Sequence, residues 1–363
     1  MRFREENGKN RIKEFFRYVL PSMGAMLFNA LYSVVDGVFV GKGVGSLGLA
    51  AVNLALPFIG LAGAIAVMLV MGAATISAVS IGQKRYDKAN AVFNNACLVV
   101  GALAVVFSVV LCALADHFAR LSGAEGELMH LTAIYIRSYM GFGVFFCASF
   151  LLSAFVRNDG DPGLAFVGML SGTLCNIFLD WLFIFPLNLG IFGAGFASGL
   201  STVVSFSILM RHFVKKRGIL RFTMPRFSWS LTCESVKRGF PAFVTEIYGP
   251  VTIQCYNMVI MSVYGDFGVS AFSMIGYLLW VMLALISGVA QGVQPLVSVS
   301  YGEKNHRAER FYLNCGLVLN IILAAFMYAA SVLFGPQAYS IFSDDKALID
   351  LACEGSIYIG ASW

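Results

Sequence analysis

Three acidic residues stand inside long apolar stretches of this 363-residue sequence: Asp36, Asp180 and Glu246. An acid inside a membrane span costs about 2.5–3.5 kcal/mol on insertion scales, so it marks a place where a cation or proton is handled. Asp36 lies five residues before Gly41, where its stretch ends, and Asp180 lies six residues before Pro186. At a rise of 1.5 Å per residue, both carboxylates are expected roughly 7–9 Å below the same membrane boundary.

Polar residues accompany the first two acids. Asn176 lies one helical turn from Asp180 on the same face, and Ser198, in the following stretch, is expected at a similar depth. Because no lysine or arginine is expected at that depth, the two carboxylates must share a proton or hold a metal cation such as Na⁺. The sequence therefore predicts a cation-coupling site at Asp36, Asn176, Asp180 and Ser198. The alternative is that both acids cap or bridge helices.

Two more polar residues extend this pattern. Asn29, seven residues before Asp36, lies on the same helical stripe. Glu246 lies near the middle of its own stretch, and its counterpart in the repeat described below is Met26, so the repeat does not require an acid there. We expect Glu246 to serve substrate recognition or a second coupling step. The alternative is a buried, neutral acid bonded to a neighbouring helix.

The composition indicates a membrane protein. Hydrophobic residues make up 58% of the chain and charged residues only 12%, against roughly 25% charged in soluble domains. A membrane-spanning helix needs about 20 apolar residues. Nine such stretches are present, and a tenth begins near residue 347 and runs to the end at Trp363; the nine cover residues 15–40, 48–80, 91–115, 128–154, 163–185, 192–213, 236–262, 268–299 and 311–334. We therefore expect an all-α polytopic membrane protein.

The basic residues predict the orientation, since positively charged loops stay in the cytoplasm. One side receives 21 of the 25 lysines and arginines, among them Arg2 and Arg4 near the N-terminus and Arg226 in the 211–238 segment. The opposite loops hold only Lys42, Arg120 and Lys346, and Arg137 falls within the fourth stretch. We expect a multi-pass protein of the plasma membrane with a cytoplasmic N-terminus.

The chain repeats itself. Residues 21–128 recur without a gap, shifted by 220 positions, as residues 241–348. Such a repeat in an apolar chain is typical of a transporter built from two like halves. We expect two pseudo-symmetric lobes related by a parallel repeat: a six-helix lobe at 1–213, a basic cytoplasmic linker at 214–234 containing Pro225, and an incomplete second lobe at 235–363, cut off after about ten spans.

Other classes of protein are disfavoured. The net charge of +5 reflects membrane topology, so no nucleic acid partner is expected. The eight cysteines and four histidines form no metal-ligand spacing, and no HExxH or GxSxG motif indicates an enzyme. Glycine runs near residues 41–45 and 193–195 do not follow a strand, as a phosphate-binding loop would. No cofactor is predicted other than H⁺ or Na⁺ as the coupling ion.

Several motifs together resemble the multidrug and toxic compound extrusion (MATE) family, in its DinF-like and multidrug branch. The resemblance runs from about residue 12 to the end, and it is carried by Leu20-Pro21, Val34-Val35-Asp36-Gly37-Val38-Phe39-Val40-Gly41, Ser80-Ile81-Gly82-Gln83-Lys84, Phe155-Val156-Arg157-Asn158-Asp159-Gly160-Asp161, Asn176-Ile177-Phe178-Leu179-Asp180 and Gly193-Ala194-Gly195-Phe196-Ala197-Ser198.

The resemblance implies an antiporter that exports small cationic or amphiphilic drugs in exchange for H⁺ or Na⁺, by alternating access of two lobes in the bilayer. In related members the positions matching Asp36, Asn176, Asp180 and Ser198 form the cation site, with Asp36 and Asp180 as ligands if the ion is Na⁺. The position matching Pro21 is where the first helix bends, and Asn29 and Tyr32 match polar positions of the same network. The family has twelve spans, whereas this sequence stops within the tenth. We expect a monomer.

One other transport function remains open at this stage. A flippase for lipid-linked saccharides or polysaccharide intermediates, from the same superfamily, would hold a pyrophosphate in a cavity rich in arginine and lysine. The apolar stretches contain almost none of these residues.

Overall fold

The computed structural model describes residues 8–223, 227–340 and 345–361. Arg2, Arg4, Pro225, Arg226 and Trp363 lie outside these ranges. The described residues form eleven α-helices and no strand: α1 (Gly8–Gly43), α2 (Ser46–Gly82), α3 (Tyr86–Ala113), α4 (Ala115–Leu121), α5 (Gly126–Met140), α6 (Gly143–Asn158), α7 (Pro162–Ile184), α8 (Gly190–Val214), α9 (Trp229–Gly302), α10 (His306–Tyr339) and α11 (Lys346–Ala361).

By length and composition, the described residues hold seven helices able to cross a membrane, or eight if the bent pair α5 and α6 is one span. The seven lie in α1, α2, α3, α7, α8, the second part of α9, and α10. The prediction of an all-α polytopic membrane protein is therefore confirmed. The predicted stretches fall on these helices with two departures.

The first departure concerns the predicted fourth span, which is two helices. α5 and α6 meet at a bend of 49° at residues 141–142. Gly141 lies in the bend and Gly143 directly follows it. Glycine weakens a helix by about 1 kcal/mol relative to alanine, so the chain bends more easily there. A methyl group at Gly143 would collide with the hydroxyl of Ser108 on α3. The bend is therefore fixed by close packing that the hydropathy pattern does not reveal.

The second departure concerns α9. Gly265 interrupts this long helix with φ 61° and ψ −156°, a conformation that favours glycine, so residues 229–264 and 266–302 are two arms. The first arm carries the predicted seventh span, yet it is not among the helices apolar enough to cross a membrane. Polar residues such as Glu246 and Gln254 lower its hydropathy.

The sequence repeat is also a repeat of backbone conformation. Gly45 and its counterpart Gly265 both have positive φ, 93° and 61°. Lys84 and its counterpart Lys304 have φ of 60° and 58°, although lysine rarely adopts this region. Both lysines lie in the tight turn between two helices, one in each repeat. Equivalent turns therefore redirect the chain at equivalent places.

The two repeats meet through equivalent glycines. A methyl group at Gly82 would collide with the carbonyl oxygen of Val299, and one at Gly302 would collide with the carbonyl oxygen of Val79. Gly82 and Gly302 are 220 residues apart, as are Val79 and Val299. α2 and the second arm of α9 thus touch backbone to backbone, in the small-residue packing common between membrane helices.

Hydrogen bonds attach the segment between α8 and α9 to the first repeat. The Asp159 carboxylate accepts from the backbone N–H of Ile219 at 2.7 Å and of Leu220 at 3.2 Å. On α3, Asn94 accepts from the Thr223 N–H at 2.9 Å and donates to the Arg221 carbonyl at 2.9 Å. We call the described residues 215–223 and 227–228 the strap.

Two neighbouring asparagines of α3 complete the attachment. Asn90 accepts from the Arg221 N–H at 2.6 Å, and Asn95 accepts from the Ser228 N–H at 2.8 Å. The strap is not helical, so these asparagine side chains satisfy backbone donors that would otherwise depend on water. The described residues of the linker are therefore bonded to the first half of the chain.

Replacing Asn94 with alanine removes both of its bonds to the strap. At about 1 kcal/mol for each bond, local opening of the strap should become roughly tenfold or more populated. Trypsin should then cleave after Arg221 correspondingly faster in detergent micelles. Asn314→Ala, at the exposed equivalent position of the second repeat, is the matched control and should leave cleavage unchanged. Equal cleavage rates in the two variants would contradict the role of Asn94.

Replacing Gly82 with alanine should destabilise the contact between the repeats by about 1–3 kcal/mol, because the new methyl group overlaps the backbone of Val299. Gly101→Ala in α3 is the control, since nothing lies within 4 Å of its added methyl group. Thermal unfolding in detergent should show a lower midpoint for Gly82→Ala and an unchanged or higher one for Gly101→Ala. Identical midpoints would show that the close approach carries little energy.

Candidate functional site

The two acids predicted from the first repeat lie together inside the bundle. α1 carries Asp36 and α7 carries Asp180, and these two helices pack against each other. The carboxyl groups are within hydrogen-bonding distance of one another, and both residues are buried. Oδ1 of Asp36 and Oδ1 of Asp180 have no hydrogen-bond partner. A bond between the carboxyl groups requires that one of them carry a proton.

Asn176 and Ser198 complete the predicted group. In one amide orientation, Nδ2 of Asn176 donates to the Ser198 hydroxyl at 3.4 Å. In the flipped orientation, Nδ2 donates to Oδ2 of Asp180 at 3.0 Å and Oδ1 accepts from the Ser198 N–H at 3.1 Å. We adopt the flipped orientation because both amide atoms then have complementary partners. Asn176 thus connects the acid on α7 to the backbone of α8.

Tyrosines close the group on its remaining sides. Tyr32, one turn before Asp36 on α1, lies next to the Ser198 side chain. On α5, Tyr135 and Tyr139 lie near the acids, with ring centroids 6.2 Å apart. These two tyrosines were not among the predicted site residues. Their i, i+4 spacing is the signal that could have placed them on one helix face.

The electrostatics of the pair are unusual. None of the ion pairs found among the described residues includes Asp36 or Asp180. Two carboxylates in a low-dielectric interior repel one another strongly when both are ionised. Within the described ranges, no cluster of three or more histidine, cysteine, aspartate or glutamate residues forms a metal site. The oxygen donors present suit a single proton or a small hard monovalent cation.

A cavity of about 110 Å³ adjoins the pair, and Asn29, Tyr32, Asn176 and Ser198 line it. Tyr32, Asn176 and Ser198 belong to the polar group around the acids. Asn29 precedes that group on α1. The cavity therefore brings together Asn29, Tyr32, Asn176 and Ser198, and it lies beside Asp36 and Asp180, which do not line it.

Two predicted residues lie elsewhere. Glu246 is exposed on the first arm of α9 and does not line this cavity. Pro21 lies within α1, which continues through it as helix. The proline ring leaves the Arg17 carbonyl without its helical partner, because proline has no N–H. The next carbonyl, that of Tyr18, accepts from the Ser22 hydroxyl at 2.9 Å.

A model of the MatE family matches residues 21–182 and 241–362, two stretches whose starts are 220 residues apart. The chain is 26% identical over 346 residues to the multidrug export protein MepA of Staphylococcus saprophyticus, covering 94% of this chain and 75% of that protein. It is 25% identical over 344 residues to MepA of Staphylococcus aureus strain MRSA252, with the same coverage of 94% and 75%.

Solved structures show the same fold. A multidrug resistance MATE family transporter in an outward-facing conformation has a TM-score of 0.89 at 24% identity, over 96% of this chain and 78% of that one. A MOP superfamily transporter from Pyrococcus furiosus has a TM-score of 0.86 at 24% identity, over 96% of this chain and 77% of that one. With the family model matching most of the chain, the resemblance inferred from the sequence is confirmed. The chain belongs to the MATE family of membrane transporters.

Proposed function

We propose that this protein exports small organic cations and other amphiphilic drugs across the plasma membrane, in exchange for H⁺ or Na⁺ entering the cell. The similarity to the MepA multidrug export proteins supports the drug substrate. The acids inside the first repeat support the coupling. The protein is a transporter and not an enzyme, in keeping with its family.

One observation carries the coupling. Asp36 and Asp180 lie side by side, buried, with one unpartnered oxygen on each and no ion-pair partner among the described residues. A buried carboxylate without a fixed counter-charge is costly. Only a mobile cation offsets that cost, so occupancy of the pair follows the concentrations of that cation on the two sides of the membrane.

α1 gives this occupancy a mechanical consequence. The same helix carries Asp36, the cavity residues Asn29 and Tyr32, and Pro21, where one backbone hydrogen bond is missing. With the cavity open outward, the entering cation cancels the repulsion between the acids and draws α1 toward α7, bending it at Pro21. The cavity then narrows and the drug leaves. Asn176 and Ser198 keep the two carboxyl groups in position during this movement.

The driving force is sufficient for accumulation. A charge moved across the membrane contributes about 2.3 kcal/mol per 100 mV, and one pH unit adds about 1.4 kcal/mol per proton. Together they support a concentration ratio of several hundred for a neutral drug exchanged with one proton. For a monovalent organic cation the one-for-one exchange moves no net charge, so one pH unit alone supports a ratio of about tenfold. If the ion is Na⁺, Asp36 and Asp180 are its carboxylate ligands.

The rest of the arrangement follows the family pattern. The lobes are residues 1–213 and 235–363, joined by the linker at 214–234, and they alternate access to a path between them. The N-terminus and the linker face the cytoplasm, which places their basic residues on the expected side. Glu246 serves substrate recognition from the second lobe. The transporter works as a monomer.

Ethidium, a fluorescent organic cation, provides the test. Purified protein in liposomes should move ethidium against its gradient when a pH or sodium gradient is imposed. Asp36→Asn cannot exchange a proton or ligate Na⁺ with full charge, so coupled transport should fall at least 100-fold. Asp116→Asn is the control, because that carboxylate is exposed and pairs with Arg137 at 2.6 Å outside the pair.

Separate gradients identify the ion. Transport driven by a pH gradient at equal sodium assigns H⁺, and transport driven by sodium at equal pH assigns Na⁺. Wild-type rates in the folded Asp36→Asn variant would refute coupling at this pair. Loss of transport in Asp116→Asn to the same degree would show that the effect of Asp36→Asn is not specific to the site.

A further inference from the structure

One face of α8 forms a buried polar stripe that leads away from the acids. The stripe runs from Ser198 through Ser201, Ser205 and Leu209 to His212. The last four residues follow Ser198 by 3, 7, 11 and 14 positions, which places all five on one side of the helix. All five are buried. Four of the five side chains are polar. Burying polar side chains inside a membrane bundle is costly unless they have a function there. The stripe spans roughly 20 Å along the helix axis.

The cavity beside the acids follows this stripe. Its lining begins at Asn176 and Ser198 and continues past Ser201 and Ser205 to Leu209. Hydroxyls of Ser149 and Ser153 on α6 and Thr173 on α7 face the same space. Oγ of Ser153 is buried with no hydrogen-bond partner. At about 110 Å³ the space is large and polar enough to hold several water molecules.

A glycine keeps this cavity open at its middle. A methyl group at Gly172 of α7 would collide with the Ser205 hydroxyl, so only glycine lets that hydroxyl stand in the space. The cavity ends at Leu209, which is completely buried. Gly168 lies directly against the Leu209 side chain, since a methyl group there would meet Cδ2 at 2.7 Å. Leu209 is therefore the apolar residue that interrupts the polar stripe between Ser205 and His212.

His212 lies about one turn beyond Leu209. Its Nε2 is 2.9 Å from Oδ2 of Asp159, while its Nδ1 is buried without a hydrogen-bond partner. Nδ1 is 3.8 Å from Oδ2 of Asp161, whose side chain is 33% exposed. The neighbouring basic residue Arg157 donates to Gln291 at 2.7 Å. The charged groups that face the imidazole are thus Asp159 and Asp161, and the second reaches solvent.

We propose that this stripe, from Ser198 to His212, is the release route for a coupling proton, with Leu209 as its barrier. This inference rests on the proposed function and selects H⁺ as the ion. A proton leaves a carboxyl oxygen of the pair, passes along the hydroxyls and water of the cavity, and crosses Leu209 when the bundle shifts. It binds Nδ1 of His212 and leaves by way of Asp161. His212 returns to its neutral form, and one proton has moved to the linker side.

His212→Gln tests the far end of the route. Glutamine retains an N–H that can reach Asp159 but cannot take up and release a proton. Ethidium export driven by a pH gradient should slow about tenfold or more, and the solvent deuterium isotope effect should rise. Ethidium affinity and the unfolding midpoint should stay unchanged. His306→Gln, an exposed histidine at 71% side-chain exposure, is the control and should behave as wild type.

Leu209→Ser tests the barrier by a gain of flux in place of a loss of activity. A hydroxyl in place of the leucine joins the cavity to His212, so liposomes loaded with the pH dye pyranine should show proton leak without ethidium. The leak should exceed that of wild type severalfold and disappear in Leu209→Ser/His212→Gln. Leu174→Ser, the same change at an exposed leucine of α7, is the control and should not leak.

The outcomes separate the two proposals. Wild-type export by folded His212→Gln, or the absence of leak in folded Leu209→Ser, overturns the release route. Transport driven only by sodium overturns it as well, while leaving coupling at Asp36 in place. Coupled transport by Asp36→Asn at the wild-type rate overturns the proposed function itself.

Discussion

The structure depends on two acidic side chains held together without a fixed opposite charge. Asp36 and Asp180 come from helices that are far apart in sequence, and the packing of α1 on α7 forces their carboxyl groups into contact. Nothing among the described residues neutralises them. Because the interior of a membrane bundle screens charge poorly, the protein is most stable when a cation is bound there. In the proposed function, the empty pair and the occupied pair favour different positions of α1.

The contact between the repeats has the opposite character. Where the acids supply a strong interaction that changes with occupancy, Gly82 and Gly302 supply a short-range contact of backbone on backbone. Such a contact involves no side-chain rotamers and no charge, so it brings the halves together without directional side-chain bonds. The acid site has no repeat equivalent, because Tyr256 stands where symmetry would place a second Asp36. The proposed ion handling therefore belongs to one half.

Much of the architecture could be predicted from the sequence. The depths of Asp36 and Asp180 follow from counting residues to the ends of their stretches, and the 220-residue shift gives the repeat directly. The bend at Gly141 and Gly143 could not be predicted, since it depends on α3 packing against the glycine. Nor could the neighbourhood of His212, because Asp159 reaches it across 53 positions of sequence. Spacing along the sequence predicts which helix face a residue lies on and how deep it lies. Contacts between helices depend on how the whole bundle packs.

The attachment of the linker sets the geometry of any rotation between the halves. On sequence grounds, about fifteen residues between α8 and α9 would be a slack connection. Asn95, however, accepts from the Ser228 N–H and also donates to the Thr232 hydroxyl at 3.1 Å. The first half is therefore hydrogen-bonded directly to the first turn of α9. In the alternating access proposed above, the second half would therefore turn about the start of α9, so that its far end would travel furthest and large displacements would fall on the opposite face of the membrane.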